Sequence, residues 1–239
     1  MDPVPPRFVV TGCARSGTLF TARALAALGH RCGHEELFTP DTVAVPDFGP
    51  AQGDVSWLAA PFVGSLPPGT VVVHQVREPL AAIRSMLGVR MFQTRPHPLM
   101  GLRYRLQHYR IRFARPITNP RFVRFAATHC PRAFALADEP SRTARYWVDW
   151  NRRIERDATA AGLPYHRVRV EDLDDRRLVE LDHLLGGDAD EQTAARVRAE
   201  LGTSTHRARQ VGPVTLDDLA DAAVRDELVE LAARYGYRR

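Results

Sequence analysis

Two stretches of this sequence carry residues suited to holding anions. Gly12-Cys13-Ala14-Arg15-Ser16-Gly17-Thr18 follows the apolar run Phe8 to Val10 and opens onto a segment of helical periodicity. Strand, glycine-bounded loop and helix together point successive backbone N–H groups, and the positive end of a helix, at a phosphate-like group. The spacing is G-x-x-x-x-G. In ATP sites of this spacing a lysine follows the second glycine, and the next residue is a hydroxyl that holds Mg²⁺. Here those positions are Thr18 and Leu19, and the fixed cation is Arg15, inside the loop. Cys13 to Leu19 therefore predict an anion site built without that lysine and without a metal-bound hydroxyl.

The second stretch is Thr70-Val71-Val72-Val73-His74-Gln75-Val76, a β-branched run suited to the middle of a parallel sheet. A metal-dependent phosphotransferase commonly ends such a strand in an acid that serves Mg²⁺. This one ends in Arg77, and Ser85 follows two helical turns later. Arginine and hydroxyl suit a second phosphate monoester held without metal. Taken singly, Arg77 is equally suited to capping a sheet edge and Ser85 to a helix surface. Taken with the loop, the pair points to a nucleotide with two separate phosphate groups.

Around these stretches the chain alternates strand and helix patterns, which predicts α/β architecture with a parallel sheet and helices on both faces. A helix is expected over Thr18 to Leu28, a brief strand in Arg31 to Phe38, and loop over residues 39 to 53. A short helix is expected at Ser56 to Phe62, with Trp57, Leu58 and Ala60 in the core. Pro79 starts another helix, with Leu80, Ile83, Met86 and Leu87 on one side. Ser141 to Ala161 reads as an amphipathic helix with Tyr146, Trp147, Trp150 and Ile154 inward, ended by Gly162. Tyr165 to Val170 is a strand candidate. Helices follow at 175 to 185, at 190 to 201 and from Thr215 to about Tyr235, the last with a capping-box-like start. Residues 90 to 140 hold ten arginines among Phe, Tyr, Pro and His. They read as an insertion on a single domain of residues 1 to 239, either a solvated arginine surface or a lid over an anionic acceptor; a helix is expected at 99 to 113.

All 33 basic side chains are arginine, so every cationic site must use the planar guanidinium. A net charge of +5, spread along 239 residues, fits an anionic small ligand at least as well as nucleic acid. Cys13, Cys32 and Cys130 lack metal-type spacing and do not form a disulfide framework. With no signal-like start and no long apolar run, the expectation is a cytoplasmic protein without a bound metal.

At this point the residues resemble a known family, the sulfotransferases that use 3′-phosphoadenosine 5′-phosphosulfate (PAPS). Gly12 to Thr18 is similar to the 5′-phosphosulfate loop in its arginine form, "RSGT", of bacterial-type members. Val76-Arg77-Glu78-Pro79-Leu80 with Ser85 resembles the 3′-phosphate motif. Tyr146 to Asn151 and Val170 to Leu173 resemble the helix and strand end that follow. The resemblance covers roughly residues 7 to 89 and 141 to 173. It implies a P-loop NTPase-like sheet and transfer of a sulfuryl group from PAPS to a hydroxyl or amine, leaving adenosine 3′,5′-bisphosphate (PAP). It also implies that Arg15, Ser16, Gly17 and Thr18 hold the 5′-phosphosulfate, with Arg15 stabilising the leaving phosphate, while Arg77 and Ser85 hold the 3′-phosphate.

In the family a glutamate or histidine after the first helix takes the acceptor proton. Here Glu35 is preferred, followed by Glu36 and then His34, because a carboxylate near an anionic cofactor can have its pKa raised toward the useful range. The segment Arg31 to Glu36 is one residue longer than a simple "GEE" pattern, so the three stay open. Arg207 and Arg209 are candidates for a basic loop over the nucleotide. The acceptor is a small molecule or glycan, with an anionic one hinted at by the arginines. The rival readings are a small-molecule P-loop kinase, and an inactive protein that binds nucleotide or nucleic acid.

Overall fold

The computed structural model describes residues 5–93, 99, 102, 119–202 and 211–237. The chain forms two compact units, one of residues 1–77 and 151–205, the other of residues 78–150 and 206–239. The anticipated helix at 99–113 falls almost wholly outside the described residues. Among those residues, no helix is long and apolar enough to cross a membrane.

The first unit is built on a five-stranded, all-parallel sheet flanked by helices. Its strands are β1 (Phe8–Thr11), β2 (Cys32–His34), β3 (Gly53–Val55), β4 (Val71–Val76) and β5 (Tyr165–Arg169), in the order β2-β3-β1-β4-β5. β1 and β4 are buried throughout, as their unbroken β-branched runs require. Phe8, Val10, Val71 and Val73 meet Ala22 and Leu25 of α1 (Thr18–Ala27), together with Leu181 from the helix Asp175–Leu184. Gly29, at φ 100°, ends the chain's first helix just past its last turn.

The brief strand expected near residue 33 is present as β2. β3, by contrast, falls where loop was expected to end, and Ser56 is the cap of a 3₁₀ helix, Trp57–Ser65, its hydroxyl accepting from Leu58 N–H. A three-residue strand is too short for alternation to reveal. The helix from Pro79, α2 (Pro79–Gly88), buries Pro79, Ala82, Ile83 and Met86, leaving Leu80 and Leu87 half-buried.

A polar knot ties the far end of this unit. His30 Nε2 lies 2.7 Å from Asp182 Oδ1 and His30 Nδ1 lies 3.2 Å from Gln52 Oε1, while Gln52 donates to Leu185 O at 2.8 Å. Asp182 is completely buried, and its other carboxylate oxygen accepts from Ala189 N–H. Removing the imidazole strands a buried carboxylate, so His30→Ala is expected to cost about 3 kcal/mol or more. Urea unfolding checks this, and a loss below about 1 kcal/mol would show that the knot is dispensable.

In the second unit α2 is followed by α3 (Pro120–His129), α4 (Pro131–Ala135) and the first half of α5 (Glu139–Ala160). Phe92, Tyr146 and Trp150 stack in series, with ring centroids 4.8 Å apart at each step. Trp147 and Trp150 are both core residues. Arg145 grips Glu227 with two hydrogen bonds of 2.8 and 3.0 Å, joining α5 to the last helix. That terminal region, expected as one helix from Thr215, is a 3₁₀ turn at Leu216–Asp218 with a capping box, followed by a separate helix, Ala222–Arg234.

Candidate active site

The loop after β1 turns through two left-handed residues, Arg15 at φ 69° and Gly17 at φ 90°. Ser16 faces inward, and its hydroxyl and N–H both return to Cys13 O, at 2.7 and 3.2 Å. Gly12 is pressed against β4, where a Cβ would overlap the Gln75 carbonyl oxygen. Leu19 is half-buried in the first turn of α1.

Three residues at the end of β4 hold this loop. Gln75 donates from Nε2 to Ser16 O at 2.7 Å and accepts at Oε1 from the Thr21 hydroxyl at 2.7 Å, so one amide ties the loop to α1. Arg77 Nη1 donates to Arg15 O at 2.9 Å. From the opposite face of the strand, His74 Nε2 lies 2.8 Å from Asn151 Oδ1 and His74 Nδ1 lies 2.7 Å from the Tyr165 hydroxyl. Burial pushes the His74 pKa down to about 4, so the ring is neutral. It then donates to the Asn151 carbonyl and accepts from Tyr165, while the Asn151 side chain is also hydrogen bonded to the Cys13 thiol. Burial pushes that thiol up to about 12, so Cys13 is a packing residue beside Ala14, not a nucleophile.

Electrostatically the loop favours an anion. Burial lowers the Arg15 pKa and the neighbouring Arg77 charge lowers it further, so two guanidiniums repel each other where a bound anion would relieve both. Ser85 lies two turns into α2, half-buried, in the second unit. Arg207 and Arg209 lie outside the described residues.

The three base candidates take different places. His34 ends β2, with Nε2 3.1 Å from Thr18 Oγ1 and 3.7 Å from Glu35 Oε1. Glu35 is held at φ 59°, its N–H donating to Val55 O. Burial raises its pKa to about 7, with a further push from the Asp54 charge and an opposing hydrogen bond from Trp57. Glu36 is exposed and its side chain lies over Gly33. His34 and Glu35 thus meet at the first turn of the helix that receives the anion loop, and Glu35 is the carboxylate whose surroundings favour holding a proton near neutral pH.

Sequence reasoning did not find Asp54, Gln75, His74 or Asn151 as parts of the site. The signal for two of them was available. A polar pair, His74-Gln75, inside a strand of valines must be satisfied by specific partners, because buried polar groups are costly otherwise. Comparison of the chain with family models, with curated proteins and with solved structures finds no match.

Proposed function

We propose that this chain is a PAPS-dependent sulfotransferase on a P-loop NTPase-like sheet, acting in the cytoplasm on a hydroxyl or amine acceptor. The observation that carries the reading is the pairing of Arg15 and Arg77 at a glycine-bounded loop whose neighbouring strand offers an amide and a guanidinium in place of an acid. That chemistry suits a donor whose transferred group, SO₃, carries less charge than a γ-phosphoryl group. Arg15 and the loop N–H groups receive the charge that develops on the departing 5′-phosphate, and Arg77 takes the 3′-phosphate. Glu35 accepts the acceptor's proton as the oxygen or nitrogen attacks sulfur in line. The kinase reading requires a lysine and an acid at positions held by Thr18 and Arg77, and is disfavoured by both.

Isothermal calorimetry with adenosine 3′,5′-bisphosphate, set against ATP plus Mg²⁺, tests the proposal. The bisphosphate is expected to bind more tightly, and Arg77→Ala to weaken it by about 10- to 100-fold, the worth of a charge-assisted bidentate contact. Tighter binding of ATP, or indifference to the substitution, would sink it.

A further inference from the structure

Asp54 is an acid at the centre of β3, and it is completely buried. Its Oδ1 accepts from Glu36 N–H at 3.2 Å and its Oδ2 from Phe38 N–H at 3.1 Å, with Leu37 N–H as a third donor. Two residues on, Ser56 donates its hydroxyl to Phe38 O at 3.1 Å. The chain from Glu35 to Phe38 is therefore moulded onto β3 by one carboxylate and one hydroxyl. A carboxylate that accepts three main-chain N–H groups is favoured in its charged form, and no apolar residue could close the same turn.

We infer that Asp54 is a positioning residue for proton transfer: by accepting from the main chain of Glu36 and Phe38 it shapes the turn that presents Glu35. The titratable groups set against Glu35 are His34 at the end of β2, Asp54 from β3, and Glu36 as the next residue in the chain; the Trp57 indole supplies a neutral donor. The Trp57 indole favours release of the proton, and the Asp54 charge opposes it. Burial raises the Asp54 carboxyl to about 6, while its three amide donors pull the other way. The same charge reaches Cys32, whose thiol is pushed up to about 12 by burial and then by Asp54 and Glu36.

For its meaning in catalysis this inference rests on Glu35 being the base, but its test does not depend on any substrate. Carboxyl ¹³C NMR titration of the full chain is expected to give a Glu35 midpoint near neutral pH. The Asp54 resonance should show its own step and a small second displacement at the Glu35 midpoint. In Asp54→Asn the Glu35 midpoint should move toward acid by about one pH unit or more, and Asp54→Glu should restore it. An ordinary carboxylate midpoint for Glu35 in the wild-type protein would overturn the inference, as would an unchanged midpoint in folded Asp54→Asn. If neither variant folds, the second displacement of Asp54 in the wild-type titration decides. Failure of the bisphosphate to bind removes the sulfotransferase reading and leaves this coupling standing, whereas an uncoupled Glu35 in a protein that binds the bisphosphate removes Asp54 alone.

Discussion

Gly12→Ala is expected to abolish binding of adenosine 3′,5′-bisphosphate and to destabilise the protein by about 3 kcal/mol or more, the upper range for overpacking. The added Cβ meets the carbonyl oxygen of Gln75 and lies 2.7 Å from the Ser16 hydroxyl. Neither can yield. Gln75 belongs to a strand paired on both sides, and its side chain is already committed to Ser16 and Thr21. Gly17→Ala offers the contrast. There the obstacles are side-chain atoms, a Val170 methyl at 2.7 Å and the Gln75 amide nitrogen at 3.2 Å, not a strand carbonyl, and the left-handed φ of 90° adds about 1 kcal/mol. Thermal unfolding and calorimetry on the two variants should rank Gly12 well above Gly17. The reverse order would mean that the loop is not seated on β4 as described.

The second large effect concerns Glu35. Its carboxyl keeps a proton up to about 7 in the folded chain, against an ordinary 4.5. Between those values the folded protein binds more protons than the unfolded one, so stability falls as pH rises through that window. The full difference is about 3 kcal/mol above pH 7. Glu35→Gln removes the cost while keeping an oxygen to accept from Trp57. The variant should therefore be more stable than the parent at pH 8 by about 2 to 3 kcal/mol, and nearly equal to it below pH 4.5. If Glu35 is the base, the same change should slow PAP release from PAPS by about 10²- to 10⁴-fold with any acceptor that supports turnover, and the parent rate should fall as pH drops below about 7. A variant destabilised at pH 8, or one that keeps its rate, contradicts the assignment.

The parts of the fold that could be read from sequence are those where one force dominates over several residues. The valine runs of β1 and β4, the glycine spacing of the loop and the broad apolar face of α5 are of this kind. Gly53-Asp54-Val55 is not, since three residues between a proline-rich segment and a 3₁₀ helix show no period. The acid inside them looks like a loop residue until the turn it closes is seen. Arg15, Arg77, Glu35 and Glu36 stand out in the sequence as candidates because their chemistry falls at the ends of expected elements. The residues that hold them in place were hidden, because a glutamine or histidine inside a strand reveals that it needs a partner but not which one. His74 to Asn151 spans 77 positions of sequence, and Asp54 closes a turn 16 to 18 residues earlier.

The strand order carries one more consequence. The anion loop rises from β1 against β4, and the turn bearing Glu35 rises from β2 against β3, so a single strand separates the two roots. Adjacent strands lie about 4.8 Å apart, which puts those roots roughly 10 Å from each other. The gap is gauged by main-chain hydrogen bonds rather than by side chains. A lineage of such proteins could exchange every side chain around the two roots and still keep the same interval between them.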